Sequence, residues 1–140
     1  MADRNTQMKD GELVHLGVAA AAKIEFGHMV AVNASGYAVH AADAAGQTVM
    51  GRADESKDNT AGANGDMSAK IRRKKAFKFA NSAANAVTVA HIGSHAYVED
   101  SETVALGILR TVRSRVRIRT ARQVISSTRP SLKLPIRTQS

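Results

Sequence analysis

The sequence predicts an all-β chain, a β-sandwich or jelly-roll-like single domain with an extended basic C-terminal arm. Three observations predict it. Short apolar runs rich in Val, Ala, Ile and Phe recur at intervals of roughly ten residues and are cut by turn-forming residues, the spacing of a sandwich or barrel. The one alanine-rich stretch with good helix propensity, Val18 to Ala22, is too short to hold a helix by itself and reads as strand or turn. At 140 residues the chain has the length of one ordinary domain, able to bury roughly two thirds of its unfolded surface in one core.

Met29-Val30-Ala31-Val32 and Tyr37-Ala38-Val39 flank Asn33-Ala34-Ser35-Gly36, a Gly-containing loop of hairpin length. Ala61-Gly62-Ala63-Asn64-Gly65-Asp66 holds an Asn-Gly pair, whose tolerance of positive φ suits a tight turn leading into a strand from Met67 to Phe79. Ala96-Tyr97-Val98 ends at the acidic loop Glu99-Asp100-Ser101-Glu102, before Val104. Residues 1–10 read as an N-terminal arm, 11–120 as the β-sandwich domain and 121–140 as a C-terminal extension holding both prolines, Pro130 and Pro135.

The formal net charge of +8 is unevenly spread. Residues 1–103 carry 11 Lys+Arg against 12 Asp+Glu, whereas residues 104–140 carry nine Lys+Arg and no acid. A neutral body therefore bears a cationic tail, which suits an acidic partner surface. No cysteine is present, so stability comes from packing or assembly rather than disulfides or a thiolate cage. The start of the chain is polar, and the longest apolar stretch, Leu16 to Ala22, falls far short of the ~20 residues of a membrane span. No membrane partner is expected. Three Phe, two Tyr and no Trp leave few platforms for stacking single-stranded bases.

No catalytic constellation stands out. Of the five histidines, His15, His28, His40, His91 and His95, the last two have the i, i+4 spacing of a metal pair on a helix, but Ile92-Gly93-Ser94 between them reads as a turn. Surface or rim histidines are the better reading. Gly-x-Ser-x-Gly, P-loop and Gly-x-Gly-x-x-Gly motifs are absent, and the acid pairs Asp54-Glu55 and Glu99-Asp100 sit beside turns as solvated groups do. The expectation is a non-enzyme that folds without metal or cofactor.

Two cationic segments are the candidate partner-binding sites. In Lys70 to Phe79, period two puts Ile71, Phe77 and Phe79 on one face with Arg73 and Lys75, and Lys70, Arg72, Lys74 and Lys78 on the other. In Val112 to Thr120, strict alternation puts Arg113, Arg115, Arg117 and Arg119 on one face of an extended strand. Lys70, Arg72 and Lys74 with the four arginines form the expected contact set. Each row reads either as a solvated strand face or as a docking surface, and the tail strand could pack on its own subunit or add to a neighbour's sheet edge.

Val30 to Val39, then Val49-Met50-Gly51-Arg52-Ala53-Asp54-Glu55, Asp58-Asn59, Ile71-Arg72-Arg73, Phe77-Lys78-Phe79-Ala80-Asn81-Ser82, Ala96-Tyr97-Val98-Glu99-Asp100 and Thr103-Val104 occur in an ordered array. Over residues 9–106 this array resembles the capsid cement, or head decoration, proteins of tailed phages and prophages. The resemblance implies a β-sandwich or jelly-roll-like subunit that adds to the outer surface of an assembled head, bridges neighbouring major capsid proteins and performs no catalysis. It implies a virion protein assembled in the host cytoplasm. The matched segments would be framework, with Gly36 and Gly51 as backbone positions and Phe77 and Phe79 as core. A cement that bridges lattice subunits gains avidity as a homo-oligomer, with a dimer preferred over a trimer.

After about Ala105 the likeness ends. Similar proteins finish with a Val-rich strand and acidic turn residues, whereas Arg110 to Ser140 contains no acid. This is either a distinctive basic arm or the product of a shifted reading frame. The alternative function is a small basic nucleic-acid-binding β-barrel module, in which the tail neutralises phosphates.

Overall fold

The computed structural model describes residues 2–107, 112–120 and 123–132, the last two stretches through their backbone. The chain is all-β, with sheets that are antiparallel apart from one short parallel pair and do not close into a barrel, in keeping with a β-sandwich. Its strands are β1 (Leu13–Gly17), β2 (Ala22–Ile24), β3 (Met29–Val32), β4 (Ala38–His40), β5 (Thr48–Ala53), β6 (Lys57–Asn59), β7 (Ser68–Arg72), β8 (Ala80–Asn81), β9 (His95–Val98), β10 (Thr103–Ala105), β11 (Val112–Thr120) and β12 (Gln123–Leu132). Among the described residues the one helical element is a 3-10 turn at Val89–His91, and no helix is long and apolar enough to cross a membrane. Residues 2–10 are exposed and lack regular structure.

Sheet order is β1-β7-β5-β3-β4 in the first sheet and β12-β11-β9-β10-β8 in the second, with β2 and β6 as a separate pair. Two apolar clusters lie on opposite faces of the first sheet. Met29, Ala31, Val49, Ala96, Val98 and Val104 fill the space toward the second sheet, while Val18, Ile24, Val30, Ala53, Ala69 and Ile71 pack on the other side. The single core expected from length is thus split by a sheet buried on both faces. β3 carries the division: Met29 and Ala31 serve one cluster, Val30 the other, as period two requires.

On β5 that parity is broken. Val49 and Ala53 are four residues apart yet enter different clusters. The cause is a bulge. Val30 pairs with Gly51 while Ala31 pairs with Val49, so Met50 is an extra residue that moves the strand's faces by one. Gly51 is required there, because a Cβ on it would collide with the Arg72 carbonyl on β7.

The β3–β4 hairpin forms where the sequence predicts it, with the second strand at Ala38–His40 rather than Tyr37–Val39. Gly36 takes φ +86°, its amide donates to the Asn33 carbonyl, and Asn33 Oδ1 accepts the amides of Ser35 and Tyr37. The strand expected over Met67–Phe79 is shorter. β7 ends at Arg72, the Arg73 amide donates to the Glu12 carbonyl at 2.6 Å, and Lys74 turns the chain at φ +58°. A non-glycine residue in this region costs roughly 1–2 kcal/mol, which the surrounding structure must supply. Phe77 is still buried and Phe79 half-buried, but on a segment beyond the strand.

A buried amide holds the loop between β6 and β7. Asn59 is 2% exposed, and its Nδ2 donates toward the carbonyls of Ala63 (2.8 Å), Ala19 (3.0 Å) and Val18 (3.3 Å). It joins the turn after β1 to the Ala61–Asp66 loop, where Gly65 takes φ +82°.

Strand β11 covers the residues expected for the tail strand. It is not a free edge: Arg115–Arg117 pair antiparallel with His95–Tyr97 of β9, and the opposite side pairs with β12. The expected extension, residues 121–140, thus contributes β12 to the second sheet.

Candidate functional site

The cationic row on β7 does not hold together as one face. Lys70 is exposed, Arg72 is half-buried and Lys74 lies past the strand end in the left-handed turn. Arg72 is committed within the chain. It stands directly across from Arg52 on β5, a like-charge pair that Asp54 reconciles by accepting from Arg52 Nη2 (2.6 Å) and from Arg72 Nη2 (2.7 Å) and Nε (3.2 Å). The hydrogen bonds from Arg72, then from Arg52, hold the Asp54 carboxyl below its ordinary range. The Arg52 guanidinium also lies 5.2 Å from the ring centroids of Phe26 and Phe77, between an exposed and a buried aromatic. Of the neighbouring cations, Lys75 pairs with Glu12 at 2.8 Å. Lys70 and Lys74 remain as exposed charges of the expected contact set. Arg113, Arg115, Arg117 and Arg119 fall on β11, and their side chains lie outside the described residues.

The densest group of titratable side chains was not visible as a unit in the sequence. Glu25 follows β2, His28 precedes β3, and His40 ends β4. The hairpin register pairs Val30 with His40, so His28, two residues before Val30, is a diagonal neighbour of His40 on one sheet face. The two imidazoles stack with centroids 5.0 Å apart and planes 6° from parallel. His28 Nδ1 is hydrogen-bonded to Ser101 Oγ at 2.9 Å, leaving Nε2 facing Glu102 Oε1 at 3.3 Å and Glu25 Oε2 at 3.8 Å. His40 Nε2 accepts the Glu25 amide at 3.2 Å. Lys23 holds the other oxygen of Glu25 at 3.0 Å and lowers that carboxyl, while its own ammonium is raised by the same contact. Burial, then the neighbouring His28, pushes the His40 imidazole down.

The group ties two sheets together, because the Met29 amide also donates to the Ser101 carbonyl at 2.7 Å across the same junction. Ser101, His28 and Glu102 have the connectivity of a nucleophile, base and orienting acid. The amides beside them are spoken for: Glu102 N–H goes to Asp100 Oδ1 and Gly27 N–H to the Ala53 carbonyl, so neither is available to an oxyanion. Next to the group lies an open depression of about 280 Å³ lined by Gly27, Lys78, Phe79, Ala80 and Glu102. His91, one of the pair considered at metal spacing, is engaged through Nδ1 with Thr88.

No family model matches the chain, and neither a curated protein nor a solved structure does.

Proposed function

We propose that this chain is a structural virion protein, a cement that binds the outer surface of a tailed-phage head and bridges neighbouring major capsid proteins without catalysing a reaction. The observation that carries the reading is where the resembling residues fall. Val30–Val39 is the β3–β4 hairpin, Val49–Glu55 holds the Gly51 bulge and the Asp54 clasp, Asn59 is the buried amide, Ile71 and Phe77 are buried, and Ala96–Val98 with Val104 line the inter-sheet core. Each has a framework role. A family whose shared residues build a scaffold, rather than converge on a reacting centre, is one whose work is done by its surface.

The neutral body favours this over nucleic-acid binding. Arg72 and Lys75 are paired with acids within the chain, which thins the free charge of the Lys70–Lys78 segment as a phosphate-binding surface. The proposed contacts are the exposed Lys70 and Lys74 and the arginines of β11, meeting carboxylates of the capsid. A homo-oligomer, a dimer in preference to a trimer, would multiply these weak contacts across the lattice. The test is imaging of heads assembled with and without the protein: symmetric, saturating density on the outer surface supports the reading, and its absence sinks it. Replacing Arg113, Arg115, Arg117 and Arg119 together by Ser should make retention on heads less salt-sensitive. Salt-steep binding to duplex DNA, with none to heads, would replace the proposal with the nucleic-acid module.

A further inference from the structure

We propose that Glu25, His28 and His40 form a binding site for a borderline divalent transition metal of the Zn2+, Co2+ or Ni2+ class. One ligand atom from each lies within 4.8 Å of the others. Tetrahedral coordination at about 2.0–2.2 Å places donors about 3.4 Å apart, so modest side-chain rotation closes the set. All three residues are half-buried, with room to turn and partial shielding from solvent.

The His28 and His40 rings are stacked 6° from parallel, so one of them must turn for both nitrogens to aim at one ion, and the surroundings already hold part of the ligand set. His28 Nδ1 is held by Ser101 Oγ at 2.9 Å, the outer-shell contact that fixes the ring and directs Nε2 inward. Nε2 then faces carboxylate oxygens of Glu25 and Glu102, so oxygen donors lie on the same side as this nitrogen. Glu25 is anchored by Lys23 through Oε1, so Oε2 is the oxygen turned to the site. His40 Nε2 presents a lone pair that here accepts the Glu25 amide at 3.2 Å, and a metal ion competes with that amide for it. Glu102, exposed on the facing turn, supplies a fourth oxygen, or water does. Two imidazoles with one or two carboxylates select these metals over Mg2+ and Ca2+, which prefer oxygen alone.

The site adds to a fold whose clusters are already closed, so binding strengthens the domain rather than creating it. It joins the β2–β3 turn to the end of β4 and, through Glu102, to the second sheet. This inference stands on the geometry alone and does not depend on the capsid role.

The experiment is titration of the untagged full-length chain with Zn2+ by calorimetry and thermal melting. The expected result is one equivalent bound per chain, a higher Tm, and affinity at least tenfold weaker in His28→Gln and in His40→Gln but unchanged in His91→Gln. Titration of the wild-type chain with Co2+, read as broadening of assigned imidazole proton signals, keeps the question decidable if a variant misfolds. Broadening centred on His28 and His40 supports the site. Broadening centred on His15, His91 or His95, or no heat and no Tm shift at millimolar Zn2+, would overturn it and leave His28 as a side chain in contact with two carboxylates.

Discussion

Replacing Asn59 by Asp changes one NH2 for one oxygen, at constant shape, in a place where the structure leaves no tolerance for it. Nδ2 is the donor for three carbonyls at 2.8–3.3 Å, and the residue is 2% exposed. Asn59→Ala removes the donor and leaves a small void. The Val18, Ala19 and Ala63 carbonyls each keep one other amide partner, from Gly65, Ala22 and Asp66 respectively. Two lost hydrogen bonds at about 1 kcal/mol each, with a cavity, give a loss of roughly 2–4 kcal/mol. Asn59→Asp is worse at neutral pH, because an acceptor then faces three acceptors and a charge is buried without a partner. Breaking a buried charge pair offers the scale, about 3–5 kcal/mol, against total stabilities of about 5–15 kcal/mol for a domain.

The sign of the pH dependence separates this account from a generic packing defect. A carboxyl at position 59 is pushed above its unfolded value near 3.9, so the folded state binds the extra proton first. The penalty is smallest below that value, grows as pH rises toward the folded value, and is complete above it. Urea unfolding of wild type, Asn59→Ala and Asn59→Asp at pH 7 and pH 4.5 should show the Asp variant gaining on the Ala variant as the solution is acidified. An Asp variant within about 1 kcal/mol of wild type at pH 7, or a gap to Ala that does not narrow in acid, would refute the reasoning.

Gly51→Ala should cost about 2–3 kcal/mol in a urea titration, since the added methyl meets the Arg72 backbone and overpacking of this kind is rarely absorbed. Asp54 works in the opposite sense to an acid at position 59: its carboxyl is depressed by Arg72 and Arg52, so its contribution is present above the ordinary carboxylate range and lost as pH falls through the depressed value. Melting temperatures of Asp54→Asn should accordingly vary less with acid than those of wild type. The two aromatics flanking Arg52 should differ sharply in urea unfolding: Phe26→Ala, at an exposed ring, costs less than about 1 kcal/mol, whereas Phe77→Ala empties a buried site and costs about 3–5 kcal/mol.

What could be read from sequence was local chemistry. The hairpin around Gly36 was legible because an Asn-to-Gly loop between two Val/Ala runs marks a turn, though its register, Val32 against Ala38, is one residue off the pairing that loop suggests. The break at Lys74 was not, since lysine gives no turn signal and the Arg73 amide goes to the Glu12 carbonyl, a partner distant in sequence. The division into two clusters was hidden for a related reason: one inserted residue on β5 reverses which side chains point where, and the pattern Val49-Met50-Gly51-Arg52-Ala53 carries no mark of it beyond the glycine. The Glu25–His28–His40 group could have been found by extending the hairpin register two residues past Val30. The Glu102 and Ser101 partners, more than 70 residues away from His28, could not. Neither could the pairing of Arg72 with Asp54, which turns an apparent contact residue into part of the frame.

Because the first sheet has apolar packing on both sides, its central strands belong to each half of the molecule at once. Melting either cluster would expose the reverse side of Val30 or Met29 to water, so the domain offers no intermediate in which one half survives alone. Amide exchange should report this as a common rate: protected amides of β3 and β5 should open together, at the free energy of global unfolding, while those of the peripheral β2–β6 pair open earlier. A shared wall makes failure all-or-none.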